Sequence, residues 1–273
     1  MRFSRPYRNH HISFIHEIAG FDTADEHRLL NQRSVPQKEN MKIIKNEKLI
    51  QRNGKIGNFT SLAALVVLGL GMYISFTRTE LFMYSLGALL IGFTLTQIGM
   101  YMGNRYGRSP RPDEKLDAGF KGLPNEFMIY HYTTPVSHLL VGPAGIWVLK
   151  PYHQRGQVTF KKDRWRMSGG GFLQAYMRLF GQESIGRPDM EIENEINSLK
   201  KYLAKQMDES DIPEIKPLIV FTSDDIEIDA DAQRAPIPTL KVKQLKDFMR
   251  QKAKGKVIST QTLNKIKTAL GRE

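Results

Sequence analysis

Two long apolar stretches dominate the pattern of the chain. Residues 56–77 run for 22 positions without a charge, and residues 81–104 for 24. A helix rising about 1.5 Å per residue needs roughly 20 residues to cross a hydrocarbon core of about 30 Å. Each run is long enough for one crossing, and the pair is too long for a single one. Between them stands Arg78-Thr79-Glu80. A charge at the bilayer centre costs about 2.5–3.5 kcal/mol, which assigns this triplet to a turn at a membrane surface. A soluble helical hairpin would keep a polar stripe, yet in 61–75 the interruptions are small residues. The pattern predicts a transmembrane helical hairpin. Ser61, Ala64, Gly71 and Ser75 recur along the first segment, and Ala88, Gly92, Thr96, Gly99 and Gly103 along the second. Small residues let helix backbones approach closely in lipid. Packing within the hairpin is expected, with homodimerisation as the competing use. Gln97 lies deep in the second segment; without an intramembrane acid or base, no transport path is read.

The pattern changes after the second segment. Pro110 and Pro112 stop the helix, and Asp113 to Phe120 reads as a short helix with acids in its first turn. A dense β region follows. Residues 127–132 alternate, and 136–142 and 146–151 flank the tight turn Pro143-Ala144-Gly145. Residues 157–160 and 164–167 flank Lys161-Lys162-Asp163 as a second hairpin. Gly169-Gly170-Gly171 lacks the Lys-Ser/Thr of a phosphate-binding loop and reads as a flexible loop. Helix resumes at Pro188, with Ile192, Ile196, Leu199 and Leu203 as its apolar face. Residues 216–221 read as a buried strand and 224–231 as an acidic loop. Two short helices close the chain, one carrying Val242, Leu245, Phe248 and Met249, the other Leu263, Ile266 and Leu270. The expectation is an α/β fold: a two-helix transmembrane hairpin, then a domain with one mainly antiparallel sheet over 127–167, extended by 216–221 and covered by the 188–207 helix.

Charge orients this picture. The net charge is +12: residues 1–55 hold 11 basic and 6 acidic side chains, and residues 105–273 hold 28 and 21. Lys42, Lys45, Lys48, Arg52 and Lys55 precede the first segment, and Arg105, Arg108 and Arg111 follow the second, against Arg78 alone in the turn. The positive-inside rule puts both termini in the cytoplasm of a cell whose inner membrane the chain crosses twice. No cleavable signal peptide is expected, because the first apolar run begins far from the N-terminus. The absence of cysteine excludes disulfides and thiolate metal sites. Residues 1–40, with His10, His11, His16 and His27 but no sustained periodicity, read as a disordered or weakly helical tail. Met41 opens a basic amphipathic stretch whose Ile43, Ile44, Leu49 and Ile50 are suited to a membrane surface. Met41 is also a sensible translation start, with Met1 as the other. By domain the expectation is a basic tail over 1–55, the hairpin over 56–104, a folded domain over 111–221 and a helical extension packed on it over 222–273.

From His138 to Gly156 a hydrophobic strand, a Gly-Pro-x-Gly turn, a second strand and a further glycine follow one another. This run resembles the nuclease-related domain family, NERD, whose core is similar to the PD-(D/E)XK restriction-endonuclease fold of helix, three strands, helix and strand. The resemblance covers roughly 111–221, and the preceding hairpin is similar to membrane-anchored bacterial members. It implies a divalent metal held by carboxylates and a lysine that positions water. The implied positions are Glu114 on the first helix, with Asp113 beside it, an acid at Ser137, and Glu-x-Lys at Lys150 and Tyr152. Two carboxylates and the lysine are thus replaced, so the resemblance implies an inherited fold without cutting chemistry, no bound metal and no cofactor. The expected role is a cytoplasmic binding or scaffold module. The alternative is a metal-dependent nuclease with relocated ligands, for which His138, His153 and Glu114 are the candidates. The expected partners are membrane lipid, with nucleic acid and another protein as further candidates. Arg155, Lys161, Lys162, Arg164 and Arg166, interleaved with Tyr152, Phe160 and Trp165, suit phosphates and bases as well as anionic lipid; seven basic residues over 241–256 add to them.

Overall fold

The computed structural model describes residues 40–169, 185–255 and 258–271. The tail expected over 1–40 lies outside the described residues except for Asn40, which bridges to Pro124, and most of the glycine loop lies outside them too. In chain order the elements are β1 (Lys42–Lys45), α1 (Glu47–Thr77), α2 (Phe82–Met102), α3 (Pro112–Phe120), β2 (Met128–His131), β3 (His138–Gly142), β4 (Gly145–Tyr152), β5 (Gly156–Lys161), β6 (Arg164–Ser168), α4 (Pro188–Leu203), β7 (Ile215–Phe221), β8 (Ile226–Ile228), α5 (Ala230–Gln233), β9 (Thr239–Lys241), α6 (Leu245–Ala253) and α7 (Thr260–Leu270).

The apolar runs form the antiparallel pair α1 and α2, joined through Thr79–Leu81 with Arg78 and Glu80 3.7 Å apart at the turn. Both helices are long and apolar enough to cross a membrane, and only 11% of each apolar window is buried. Phe59, Leu65, Phe76, Met83 and Leu90 all stand exposed, which the core helix of a soluble protein would not allow. The buried stripe is made of small residues: Gly57, Ala64 and Gly71 on α1, Ser85, Gly92 and Gly99 on α2. A Cβ at Gly99 would sit 2.9 Å from the Ser61 backbone nitrogen, and one at Gly57 would sit 2.8 Å from that of Gly103. The expected packing within the hairpin is therefore what the helices do. Polar side chains in the pair satisfy themselves locally. The Thr94, Thr96 and Ser61 hydroxyls donate to carbonyls four residues back, and Ser85 donates across the seam to the Gly71 carbonyl at 2.8 Å.

The six-stranded sheet has the order β1-β2-β3-β4-β7-β9. Only β2–β3 and β3–β4 pair antiparallel; β1–β2, β4–β7 and β7–β9 pair parallel. This corrects the mainly antiparallel expectation: the sheet is mixed. The antiparallel part is local, closed by Gly142 and Gly145, where Gly145 has φ +113° and a Cβ on Gly142 would strike the Phe127 ring at 2.3 Å. The sheet is covered on both faces. Leu139, Val141, Val148, Ile219 and Phe221 pack under α4 and α7 through Ile192, Leu199, Leu203 and Ile266. Ile129, Leu140, Trp147, Leu149 and Val220 pack on Leu116 and Phe120 of α3 and Leu245 and Met249 of α6. Burial on both faces explains why β3 is apolar at nearly every position.

Three further expectations differ from what is found. The hairpin β5–β6, closed by Lys162 and Asp163 at positive φ, leaves the main sheet and forms a second sheet in the order β6-β5-β8. The stretch after Met41 is protein core and sheet edge: Met41 and Ile50 are buried, and β1 pairs with β2 in register from Lys42–Met128 to Lys45–His131. The segment after 222 is not only helical, because β8 and β9 complete the two sheets and the acidic stretch contributes β8 and α5.

Candidate functional site

A cavity of about 490 Å³ lies where the ends of the helical hairpin meet the sheet. Its walls come from the last turns of α2 (Gln97, Met100, Tyr101), the turn beyond it (Asn104, Arg105), β3 with its approach (Ser137, His138), the end of β4 (Lys150, Tyr152), and Glu191 on α4. After Met102 the chain makes one π-helical turn, Gly103–Gly107, the kind of local widening often found at functional sites. Arg105 stands on it. Register explains the sheet side. Leu139 pairs with Val148, so continuing that ladder brings Ser137 opposite Lys150, and alternation along β4 puts Lys150 and Tyr152 on one face.

Of the four positions implied by the resemblance, Ser137, Lys150 and Tyr152 line this cavity and Glu114 does not. Glu114 caps α3 instead: its carboxylate accepts from the Arg111 backbone at 2.9 Å and from Ser109 Oγ at 2.7 Å, and pairs with the Arg111 guanidinium at 3.0 Å. The proposed trio of His138, His153 and Glu114 therefore does not assemble; the two histidines line the cavity without it. Among the described residues no three His, Asp or Glu side chains converge as a metal site.

Lys150 is not a bare cation. Its ammonium sits 2.8 Å from Glu195 Oε1 and 3.0 Å from Glu191 Oε2, two acids one helical turn apart on α4. Burial lowers its pKa, but the two carboxylates outweigh burial and raise it above the ordinary lysine value. Two negative charges thus answer its one.

Beside the cavity lies a second polar cluster. Asp113, wholly buried, takes hydrogen bonds from Lys45 at 3.1 Å and from Arg111 Nε at 3.0 Å. Burial raises the Asp113 carboxyl, and those two partners outweigh it and hold it below the ordinary carboxylate range. Asp117 pairs with Lys45 at 2.5 Å and with His131 Nε2 at 2.9 Å, and His131 Nδ1 meets His138 Nδ1 at 2.7 Å. A contact between two Nδ1 atoms needs one protonated and one bare nitrogen. With Asp117 accepting from His131 Nε2–H, a neutral His131 ring offers a bare Nδ1, so His138 donates from Nδ1–H and keeps Nε2 bare; this tautomer is assigned from the network. Burial first, then the neighbouring His131 and the Arg105 guanidinium, pull His138 well below its ordinary value.

Arg105 contrasts with both lysines. It donates to the Tyr101 hydroxyl at 2.8 Å and to Ser137 Oγ, and lies over the rings of Tyr101, Tyr106 and Tyr132. Among the described residues it forms no ion pair. Three other cavity groups lack hydrogen-bond partners: the Tyr132 and Tyr152 hydroxyls and Gln154 Oε1 are buried and accept or donate no hydrogen bond among the described residues. Burial pushes the Tyr152 hydroxyl far above its ordinary value, so it stays protonated.

The basic surface candidates lie elsewhere. Lys161, Lys162, Arg164 and Arg166 are exposed on β5–β6, and Arg155 is exposed 3.8 Å from Asp225. The aromatic residues interleaved with them turn inward: Trp165 and Tyr152 are buried, and Phe160 packs on Trp165 at 4.5 Å. They form no open stacking platform. The residues missed in the sequence are Asp117, His131 and Glu195. The signal for two of them was present, since Asp113–Asp117 and Glu191–Glu195 are both acid pairs spaced by four on short helices. No protein-family model, curated protein or solved structure matches this chain.

Proposed function

We propose that this chain is a membrane-anchored binding module: a two-pass hairpin in the cytoplasmic membrane, both termini cytoplasmic, carrying a NERD-like domain that has lost its cutting residues. The observation that carries this reading is the meeting of Ser137, Lys150 and Tyr152 at one cavity. These are the positions where the resemblance implies two carboxylates and a lysine, one just before β3 and two on the neighbouring β4. The order α3, β2, β3, β4, α4, β7 supports the same ancestry, with β5–β6 as an insertion. Basic residues at both lower ends of the hairpin support the orientation. The domain binds ligands or partners and does not hydrolyse them, with the exposed basic strands of β5–β6 open to nucleic acid or anionic lipid.

One observation favours the other reading, a metal-dependent nuclease with relocated ligands: Glu191 and Glu195 bring two carboxylates beside Lys150. Plasmid incubated with the full chain and Mg²⁺ or Mn²⁺ separates the two. The binding-module reading expects intact plasmid. Cleavage abolished by Glu195→Gln would establish the nuclease. Topology is read with single cysteines, for which the cysteine-free chain is a clean background. A cysteine at exposed Thr79 should label from outside the cell, and one at exposed Gln51 or Ser109 should not.

A further inference from the structure

We propose that the cavity at the foot of the hairpin binds a phospholipid headgroup, with Arg105 meeting its phosphodiester and Tyr152 and Gln154 holding a hydroxyl of the head. The proposal rests on the reading of α1 and α2 as a membrane anchor, and it names what the module binds.

Three independent observations converge on it. The first is charge. A half-buried guanidinium without a carboxylate is an unusual arrangement, since charges removed from water are normally paired. Lys45 has Asp113 and Asp117, and Lys150 has Glu191 and Glu195. Arg105 has tyrosine and serine hydroxyls, which orient it, and no carboxylate at ion-pair distance among the described residues; Glu195 acts on it only from further off. Its planar fork suits a phosphoryl group.

The second is unmet hydrogen bonding. Tyr152 is 9% exposed and Gln154 6%, and each has a buried polar atom with no partner among the described residues. Leaving such an atom unpaired costs about 1–3 kcal/mol, so these two, with the Tyr132 hydroxyl as a third on the same cavity, point to a ligand that supplies the bonds. A phenol hydroxyl donates to a phosphate oxygen or accepts from an alcohol. A carboxamide oxygen only accepts, and so does the Glu191 carboxylate on the same wall; both call for a donor such as a glycerol hydroxyl.

The third is location. The wall continues from Arg105 onto Tyr101, Met100 and Gln97, the last turns of a helix apolar enough to lie in a bilayer. The polar end of the cavity therefore meets the level of lipid headgroups, and its α2 side offers surface to an acyl chain. The volume of about 490 Å³ lies within the ordinary range for small-ligand sites. Basic strands β5–β6 contribute no cavity residue, so the site is separate from any general attraction to anionic surfaces.

The test uses the full chain in detergent micelles, with bound lipid counted by native mass spectrometry and affinity read by titration. The probes are phosphatidylglycerol, phosphatidylcholine and water-soluble glycerol 3-phosphate. One phosphatidylglycerol per chain is expected, weakened about tenfold or more by Arg105→Gln. Tyr152→Phe removes only an unpaired hydroxyl, so it should fold as well as the parent chain without lipid and bind phosphatidylglycerol several-fold more weakly. Lys161→Gln combined with Lys162→Gln should leave binding unchanged. Parental affinity in both Arg105→Gln and Tyr152→Phe would overturn the site, as would loss confined to the Lys161 and Lys162 variant. Phosphatidylcholine bound as tightly as phosphatidylglycerol would overturn the hydroxyl assignment. Glycerol 3-phosphate that binds one per chain and is not displaced by lipid would overturn the lipid source in favour of a soluble phosphate. A duplex oligonucleotide whose binding, in place of lipid binding, is lost in Arg105→Gln would overturn it in favour of nucleic acid. Alkaline extraction of membranes reads the anchor separately. Release of the chain by alkali overturns the anchor alone, while retention with no effect of Arg105→Gln overturns the headgroup site alone.

Discussion

Two polar regions lie side by side on the same sheet and are built on opposite principles. In the cluster of Lys45, Asp113, Asp117, His131 and His138, each group has a partner of matching charge or hydrogen-bonding sense. It ties β1, α3, β2 and β3 together. On the cavity wall, which His138 also lines, Arg105 has no ion pair and Tyr152 Oη and Gln154 Oε1 have no hydrogen bond among the described residues. A satisfied network spends its interactions on holding the fold; an unsatisfied one keeps them for something else.

The largest effect that would sharpen this contrast is expected at Asp113. Asp113→Ala takes one carboxylate from Lys45 and Arg111 at once, leaving Asp117 to the first and Glu114 to the second, and losing two hydrogen bonds between charged groups costs about 3 kcal/mol or more, measured as a fall in denaturant midpoint for the micelle-bound chain. The pH dependence has a definite sign. The folded carboxyl lies below its ordinary value of 3.8, so its contribution is complete above about pH 4 and fades as pH falls toward the lower folded value. The Asp113→Ala chain should lose that part of its acid sensitivity.

Glu195→Gln comes next. It leaves Lys150 with one acid where it had two, and a loss of about 1–2 kcal/mol is expected. A loss as large as that at Asp113 would mean that the Lys150 triad belongs to the structural region.

His138 gives a smaller, pH-resolved effect. Its folded pKa lies well below 6.5, so the unfolded chain binds the proton first. Stability is complete above about pH 6.5 and declines as pH falls below it. The groups facing it are His131, Arg105, Asp113 and Lys150; the cations Arg105 and Lys150 reinforce the decline and Asp113 opposes them. His138→Gln should flatten the melting temperature between pH 7 and pH 5, whatever its effect on the absolute value.

The smallest effect separates the two regions most cleanly. Tyr152→Phe, in the absence of ligand, should change stability by no more than about 0.5 kcal/mol, in the stabilising direction, since no hydrogen bond is lost. A loss of 1 kcal/mol or more in the same unfolding assay would place Tyr152 among the structural groups.

What was legible in the sequence was local. The hairpin could be read because its two runs and the Arg78-Thr79-Glu80 break fall in one contiguous stretch, and β2 to β4 because a Pro-Ala-Gly turn joins neighbouring strands. The parallel neighbours were not legible. β1 reaches β2 from more than eighty residues away and β9 reaches β7 over a shorter gap, and nothing in three or four residues such as Lys42–Lys45 announces a distant partner. Lys42–Lys45 was also read as amphipathic because Ile43 and Ile44 differ in burial only once the sheet edge exists. The site was half legible for the same reason. Ser137, Lys150 and Tyr152 follow from strand register, whereas the pairing of Lys150 with Glu195 depends on how α4 lies across β4, and Arg105 looked like one flanking charge among three.

One junction bears on how such a molecule would meet its partners. A single residue, Asn46, separates β1 from α1, and its side chain caps that helix at Leu49 N. The first turns of α1 belong to the sheet domain, with Ile50 buried and Gly54 against the backbone of Tyr106 and Gly107, and the same unbroken helix of about 46 Å continues into the apolar segment. There is thus no leash. Under the proposed topology the domain cannot reach outward or swivel as a tethered module does; it is a fixed fitting on a stiff post, facing the bilayer at one angle. A change in bilayer thickness that tilts the helices would tilt the domain by the same angle.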